Sequence, residues 1–305
     1  MPPIKKTKPL ACPICGYGAS WPMPYRRDTS FDAWRVKAGD TAPYDWRLCR
    51  RCGNAYPSFQ PGIEVLRHIW EENRVIPSSD MRTPEEVWAA RHAAARKCAE
   101  RSFALFAARS ARSPGRFLDI GCGPGDTVRH FADHGWDAEG IDADPNMAPV
   151  HRRLGIRSQI GQFETMQTAG GYDIIHIAHA IYFITEPMRF LGAVRERLAP
   201  GGVFGIVLAD FMATFDPGLP SYPHSFFPTA ASMRYALALA GFETVSSRVW
   251  AGSVYLAARP AQVPLPTVHL ALIRLGYFTK PARYALLGRP YLALRRAAKS
   301  VLRRG

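Results

Sequence analysis

The segment from Asp119 to Gly125 has the residue types and spacing of a loop that holds a nucleoside cofactor. The residues that lead into it, 117–120, are mostly apolar, as in a strand covered on both faces of a sheet. Three glycines alternate along the loop: Gly121, Gly123 and Gly125. Glycine tolerates positive φ and leaves no Cβ where the backbone must approach a ligand. A helix that begins at Asp126 would point its N-terminal amides at the same ligand, so the segment predicts a cofactor turn between a strand and a helix.

The glycine spacing separates two cofactor classes. A dinucleotide fingerprint has a third glycine three residues after the second, but position 126 is an aspartate, which disfavours NAD. The pattern resembles instead the Asp-x-Gly-x-Gly-x-Gly turn of class I S-adenosylmethionine-dependent methyltransferases. Asp142 ends a second apolar stretch about 20 residues later, where an acid can accept hydrogen bonds from both ribose hydroxyls. The resemblance implies S-adenosylmethionine as cofactor, bound through Asp119, Gly121, Gly123, Gly125 and Asp142.

Two later segments extend this resemblance. Gln162 occupies the position after the third predicted strand that bonds the adenine edge in the family, although an acid is commoner there, and Phe163 can stack on the ring. After the fourth strand, many small-molecule and sugar methyltransferases carry a His, then a Glu-His pair, before an acidic-Pro turn. This chain keeps His179 and Glu186-Pro187 but has Tyr182-Phe183 in place of the Glu-His pair. The resemblance therefore implies that His179 also borders the cofactor.

Methyl transfer to a hydroxyl calls for accurate positioning and for a base, and histidine is the side chain best tuned as a base near neutral pH. His179 is the first candidate, with a pocket-lining role that takes no proton as the alternative. His224 is the second, because segment 224–227 resembles the His-aromatic stretch of the sugar-modifying and natural-product branches of the family. The alternative for His224 is a structural hydrogen-bonding role. His176, inside a predicted strand, is interpreted as a buried core histidine.

Four of the six cysteines fall in two pairs, each with two residues between the thiols and a glycine after the second: Cys12 and Cys15, then Cys49 and Cys52. Such knuckles place two thiolates on one metal and free backbone amides to donate to sulfur. We expect a closed, structural Zn²⁺ site, although the 33 residues between the pairs exceed the usual spacing. Redox dithiols or ordinary buried thiols are the alternatives.

Short apolar segments alternate with helical ones from Arg116 to about Ala258, which predicts an α/β fold with a doubly wound, Rossmann-like sheet of seven strands. The strands are expected near 116–120, 137–141, 156–160, 172–177, 202–209, 242–249 and 252–258, the last two as an antiparallel hairpin. A lead-in helix is expected to begin at Thr83, with Pro84 in its first turn. The predicted organisation is a zinc-binding module (1–60), a linker and lead-in helix (61–115), a cofactor-binding domain (116–260) and a basic amphipathic helical tail (261–305).

The charge is concentrated at one end of the chain. The 305 residues carry a formal charge of +14, and the segment 244–305 contributes eleven Lys and Arg and no acid. The rest of the chain is nearly balanced, which argues against a nucleic-acid trap in the catalytic domain. In the tail, cations and leucines at helical spacing predict peripheral contact with an anionic membrane, with a solvated tail as the alternative.

No apolar run reaches the ~18 residues of a membrane span, and the first ten residues lack the apolar core of a signal peptide. These features predict a cytoplasmic protein, with peripheral attachment at the inner membrane surface through the tail.

The leading hypothesis is S-adenosylmethionine-dependent methylation, mainly O-methylation, of a small molecule, a saccharide or a glycolipid. The proline-rich loop 211–227 is expected to form a lid or acceptor wall. An RNA methyltransferase is the first alternative, because zinc knuckles and basic tails recur in RNA-modifying enzymes. It is disfavoured, as is a nucleic-acid partner in general, since the chain has no Asn/Asp-Pro-Pro-aromatic motif and no catalytic cysteine pair. A non-catalytic zinc adaptor on a methyltransferase fold is the second alternative, left open by the missing Glu-His pair.

Overall fold

The structure is a computed structural model, and it describes residues 11–23, 45–58, 84–163, 166, 170–209, 224–288 and 290. Several sequence predictions fall elsewhere. The predicted helix start at Thr83, residues 24–44 of the predicted zinc-binding module, most of the predicted loop (211–223) and the end of the basic tail (291–305) lie outside the described residues.

The described strands form two sheets. In chain order they are β1 (Ser20–Pro22), β2 (Trp46–Cys49), β3 (Ala55–Pro57), β4 (Arg116–Ile120), β5 (Asp137–Asp142), β6 (Ser158–Ile160), β7 (Tyr172–Ala178), β8 (Leu198–Ala209), β9 (Phe242–Trp250) and β10 (Ser253–Pro260). A small antiparallel sheet has the order β1-β2-β3. The large sheet has the order β6-β5-β4-β7-β8-β10-β9, in which β4 to β8 are parallel and β10 is antiparallel to both of its neighbours. The predicted seven-stranded, Rossmann-like α/β fold is confirmed.

The α-helices connect these strands or flank the large sheet. They are α1 (Pro84–Phe106), α2 (Asp126–Asp133), α3 (Met147–Leu154), α4 (Pro187–Arg197), α5 (Ala230–Leu239) and α6 (Leu270–Arg283), joined by 3-10 turns at Ala107–Arg109 and Ile181–Phe183 and a π-helical turn at Tyr284–Gly288. The start of α5 is capped as its sequence allows. The Thr229 hydroxyl accepts from the amide of Ser232, and the Ser232 hydroxyl accepts from the amide of Thr229.

Two strand starts differ from the sequence expectation by two residues or more. β8 begins at Leu198 rather than 202, because Leu198 pairs with Tyr172 before a register irregularity. β6 begins at Ser158 rather than 156, because the amide of Ile156 is still bonded to the last turn of α3. Both differences arise at turns, where local hydrogen bonds rather than apolar alternation decide the boundary.

Apolar cores lie on the two faces of the large sheet, as the continuous apolar character of the central strands requires. On the α1–α2 side, the rings of Phe117 and Phe131 stack with centroids 3.7 Å apart. Gly205 of β8 is needed on this side, because a Cβ there would lie 2.7 Å from the ring of Phe106. Phe106 therefore packs α1 closely against the large sheet at Gly205.

The small cysteine-bearing sheet shares the core on the other face of the large sheet. Ala55 of β3 forms an antiparallel bridge with Phe227, with both amide-to-carbonyl hydrogen bonds present at 2.7 and 3.4 Å. The hydroxyl of Tyr277 in α6 donates to the carbonyl of the same Phe227 at 3.2 Å. Ile273 of α6 packs on Gly53, so the small sheet is held between segment 224–227 and α6.

Among the residues that the structure describes, no helix combines the length and the apolar character needed to cross a membrane.

Candidate functional site

A cavity of about 440 Å³ opens at the carboxyl ends of the parallel strands, where ligands bind in open α/β sheets. The ends of β4, β5, β6 and β7 all contribute to its lining. Of the predicted site residues, the cavity is lined by Gly121, Asp142, Gln162, Phe163 and His179. Asp119, Gly123, Gly125 and His224 are not among its lining residues.

The glycine turn has the backbone conformation that the sequence predicts. Gly121, Gly123 and Gly125 have φ values of 68°, 51° and 88°, all in the left-handed region. A Cβ on Gly121 would lie 2.6 Å from the Cβ of Ala180, and one on Gly125 would lie 2.7 Å from Ile156. A Cβ on Gly123 would meet nothing within 4 Å, so the turn has open space at its middle glycine.

The carboxylate of Asp142 is tied to the turn. It accepts hydrogen bonds from the amides of Gly123, at 2.7 Å, and Asp144, at 2.9 Å. Burial raises the pKa of Asp142 above its ordinary value, and these two hydrogen bonds counteract part of the rise. Each carboxylate oxygen can accept more than one hydrogen bond, so both keep capacity for hydroxyls of a ligand in the cavity.

His151 supports the turn from behind, a role that the sequence analysis missed. Its Nε2 lies at hydrogen-bond distance from the carbonyl of Gly123 and must donate, because a carbonyl only accepts. Its Nδ1 then accepts from the hydroxyl of Ser158, at 2.7 Å. His151 is 2% exposed. A histidine in α3 has no local sequence signal for this contact, which arises only when α3 packs against the turn.

Asp119 lies in the protein interior beneath the turn. Its Oδ1 accepts from Nδ1 of His176 at 2.7 Å, and Nε2 of His176 lies 3.1 Å from the hydroxyl of Ser102 in α1. Asp119 is 3% exposed and His176 is fully buried. His176 is thus the bonded core histidine that the sequence predicts. The contact between Asp119 and the cofactor stays a prediction, since the structure places this carboxylate on His176 rather than at the cavity wall.

His179 borders the cavity at the end of β7, in an unusual conformation. Its φ is 55°, which is rare for a residue other than glycine and costs of order 1–3 kcal/mol. Its amide donates to the carbonyl of Val207 at 2.9 Å, which fixes the backbone, and its Nε2 lies 3.4 Å from the hydroxyl of Ser253. Desolvation by the surrounding protein lowers the pKa of His179, and His176 lowers it further, so the ring is neutral at pH 7.

His224 lies among aromatic rings and does not itself line the cavity. Its ring centroid is 5.2 Å from Tyr182, 5.1 Å from Phe183 and 5.4 Å from Phe227. Burial lowers the pKa of His224 to about 3, and the side chain is 6% exposed. A histidine so placed is neutral and weakly basic, which favours the structural alternative for His224 over the role of a base.

Tyr182 and Phe183, which stand in place of the Glu-His pair, make different contacts. Phe183 lines the cavity. Tyr182 is buried, and its hydroxyl accepts from the amide of Ala209 at the end of β8. The Tyr182 ring also stacks on Phe227, with centroids 4.5 Å apart and planes 11° from parallel. Tyr182 therefore links the end of β8 to segment 224–227.

The four paired cysteines converge near the small sheet. The sulfur atoms of Cys12 and Cys52 are 3.5 Å apart, as are those of Cys15 and Cys49, and all four lie within 4.8 Å of one another. Tetrahedral Zn²⁺ with Zn–S bonds of ~2.3 Å needs sulfurs roughly 3.8 Å apart, so the set fits this metal. The amide of Arg51 donates to Cys49 Sγ at 3.3 Å, as in a metal knuckle.

A family model described as a methyltransferase domain matches residues 89–247 of the chain. The ubiquinone biosynthesis O-methyltransferase of Cereibacter sphaeroides (strain ATCC 17025 / ATH 2.4.3) is 35% identical over 95 residues, which are 29% of this chain and 38% of that protein. The protein of the same name from Bordetella avium (strain 197N) is 29% identical over 147 residues, 40% of this chain and 61% of that protein. The chain thus spans less than two thirds of the length of these curated relatives. Among solved structures, the glycopeptide N-methyltransferase MtfA complexed with S-adenosyl-L-methionine aligns with a TM-score of 0.45 and 17% identity, over 54% of this chain and 93% of that one.

Proposed function

Because this chain belongs to the methyltransferase-domain family, we propose that it transfers a methyl group from S-adenosylmethionine to a hydroxyl of a small-molecule acceptor. The observation that supports this most is the meeting of two groups at one cavity. Asp142, tied to the glycine turn, and His179, at the end of the neighbouring β7, both line the 440 Å³ space. A ribose-binding acid and a neutral imidazole in one cavity match the needs of donor binding and of proton removal.

Different residues of this site bind different parts of the donor. Asp142 accepts from the ribose hydroxyls, Gln162 bonds the adenine edge, and Phe163 covers the ring. The open space beside Gly123 suits the methionine part of the donor. When bound, S-adenosylmethionine supplies a methyl group already activated on a sulfonium. Most of the acceleration then comes from holding the acceptor in line, an effect worth up to ~7–11 kcal/mol.

His179 accepts the proton of the acceptor hydroxyl. Its lowered pKa keeps the ring neutral at pH 7, so one ring nitrogen is unprotonated. The hydroxyl of Ser253, 3.4 Å away, helps to orient the ring. Oxygen as the accepting atom is also supported by the name O-methyltransferase of the curated relatives. The acceptor is a hydroxylated small molecule, and saccharides and glycolipids are the forms that the sequence resemblance favours.

Isothermal titration calorimetry with S-adenosylhomocysteine tests this function first. We expect one site per chain in the wild type. Incubation with labelled S-adenosylmethionine and a panel of hydroxylated compounds then reports transfer. Absence of S-adenosylhomocysteine binding in folded protein would sink the proposal, whereas binding without transfer to any compound would favour the non-catalytic adaptor.

The cysteine cluster is proposed to hold one structural Zn²⁺ through Cys12, Cys15, Cys49 and Cys52. Four sulfur ligands close the coordination sphere, so the ion has no open position for catalysis. Its role is to hold the small sheet together. Through the Ala55–Phe227 bridge, that sheet supports the segment that carries His224.

The tail is proposed to make peripheral contact with an anionic membrane. In α6, Ile273 and Tyr277 are buried, whereas Leu272 and Leu275 are 62% and 59% exposed. The exposed leucines lie on a segment that carries only basic charge, which complements the anionic surface of an inner membrane. We propose that the protein is cytoplasmic and associates with that surface through α6.

A further inference from the structure

A second cavity, of about 600 Å³, lies between α1 and the start of β10. Its size is in the range of small-molecule sites. The polar and chemically active side chains in its lining are Lys97, Cys98, Arg101, His179, Ser253 and Tyr255. Of these side chains, only His179 also lines the proposed donor cavity.

His179 is shared by the linings of the two cavities. Ser253, whose hydroxyl lies 3.4 Å from Nε2 of His179, belongs only to the second cavity. The imidazole therefore stands at the boundary between the two spaces. A hydroxyl bound in the second cavity beside His179 is next to the base and next to the donor cavity at the same time.

The charged side chains that line the second cavity are cationic. Lys97 and Arg101 lie one helical turn apart on α1, and no Asp or Glu is among the described residues that line the cavity. Neither cation forms a salt bridge within the described part of the chain. Two cations that have no carboxylate partner among the described residues favour an anionic ligand.

The remaining polar side chains agree with such a ligand. Burial raises the pKa of Tyr255, which keeps its phenol protonated and able to donate. Arg101, which is half-buried, lies near the Tyr255 hydroxyl and lowers this pKa in part. A planar guanidinium beside a phenol can bind a carboxylate or a phosphate with several donors at once.

We propose that the second cavity binds the methyl acceptor and that this acceptor carries a carboxylate or phosphate group held by Arg101 and Lys97, with its hydroxyl directed at His179. The proposal rests on the proposed function and narrows it to an anionic hydroxylated small molecule. In the reaction, the hydroxyl oxygen bonds to the methyl carbon, the carbon–sulfur bond breaks with its electron pair going to sulfur, and the hydroxyl proton passes to His179.

Binding of three related probes to the protein saturated with S-adenosylhomocysteine tests this proposal without requiring turnover. The probes are catechol, 3,4-dihydroxybenzoate and 4-hydroxyphenyl phosphate, which are neutral, carboxylated and phosphorylated. We expect at least one anionic probe to bind about tenfold or more tightly than catechol. The stronger of the two anionic probes identifies the anionic group of the acceptor.

Arg101→Gln should abolish the preference for the anionic probe, and Lys97→Gln should reduce it less, because Lys97 is exposed at the rim. Arg96→Gln is the matched control, since Arg96 is an exposed cation of the same helix that does not line the cavity. All three variants should retain the wild-type affinity for S-adenosylhomocysteine.

The inference is overturned when neither anionic probe binds better than catechol, or when Arg101→Gln behaves like Arg96→Gln. Failure of the wild type to bind S-adenosylhomocysteine is a different result, which contradicts the proposed function itself. Anion binding is then measured on the protein alone, so the charge preference of the cavity is tested in either case.

Discussion

The carboxylate of Asp142 accepts a hydrogen bond from the backbone amide of Gly123, with 2.7 Å between the two atoms. The acid proposed to bind the ribose thus also holds the middle of the glycine turn. His151 holds the same glycine from the other side, through its carbonyl. The turn is therefore positioned by two side chains before any ligand arrives, which lowers the entropy cost of binding.

Asp142→Asn should weaken binding of S-adenosylhomocysteine about tenfold or more, because an amide cannot accept with both of its polar atoms and loses the negative charge. One of the two backbone amides that donate to Asp142 would then face the NH₂ group of the asparagine, which is itself a donor. Calorimetry measures the change in Kd. Asp133→Asn is the control, since Asp133 is an exposed carboxylate at the end of α2. Equal affinities of the two variants would remove Asp142 from the donor site.

His179→Asn should retain the affinity for S-adenosylhomocysteine and lose most of the turnover. Asparagine tolerates a left-handed backbone, so this variant removes the imidazole without straining the position at φ 55°. Because the pKa of His179 is lowered, wild-type kcat should stay constant from pH 8 downward and fall only below the ordinary histidine value of ~6.5, as the base becomes protonated.

The control for this experiment is His134→Asn, an exposed histidine outside both cavities. It should reproduce the wild-type pH–rate profile. A His179→Asn enzyme with an unchanged rate and the same acid limb would show that another group takes the proton.

Sequence reasoning worked best where the determinants are local. The glycine turn, Asp142 and the strands that they end could be predicted because apolar runs, glycines and acids follow one another within about 25 residues. The doubly wound, seven-stranded class of the sheet follows from the same alternation of apolar and helical segments. Two strand starts, at Leu198 and Ser158, were misplaced because turn hydrogen bonds decide them.

The residues that the sequence did not reveal come from distant elements. His151 contacts the turn only because α3 packs there, and Arg101 shares a cavity lining with His179 only because α1 lies beside the start of β10. Conversely, His224 looked like a base because its neighbours along the chain are aromatic. In the fold, Phe227 and two rings that are distant in the sequence, Tyr182 and Phe183, enclose it. Burial of the His224 ring, which depends on tertiary packing, decides between the role of a base and a structural role.

His224 should make the folded state sensitive to acid. Its pKa is about 3 when folded and near 6.5 when unfolded, so between these values only the unfolded state binds the proton. Stability is therefore full above pH ~6.5 and declines as pH falls, by up to roughly 1.4 kcal/mol per pH unit. His224→Phe keeps an aromatic ring in the cluster and removes this proton.

Urea denaturation at pH 7.5 and pH 5.0 measures the effect. The wild type should lose more free energy of unfolding between the two pH values than His224→Phe does. Other histidines titrate in both proteins and cancel in this comparison. The same loss in both proteins would mean that His224 is accessible to protons in the folded state.

Removal of one cysteine ligand should cost both the metal and stability. Cys12→Ser should contain much less than one zinc per chain by elemental analysis and should melt at a lower temperature, because the small sheet packs on α6 and on segment 224–227. Cys98→Ser serves as the control, because Cys98 is outside the cluster. Purified wild type without zinc, or a Cys12→Ser protein with full zinc, contradicts the site.

The final prediction concerns the proposed membrane contact of α6. The protein should sediment with vesicles that contain phosphatidylglycerol and much less with pure phosphatidylcholine, because the tail (261–305) contributes nine cations and no acid. The double variant Leu272→Gln, Leu275→Gln should lose binding, since it removes exposed apolar area but no charge. Leu239→Gln is the matched control, a 43% exposed leucine at the end of α5. Equal sedimentation of the wild type and the double variant would mean that charge alone attracts the protein to the vesicles. No sedimentation of the wild type would contradict the membrane contact.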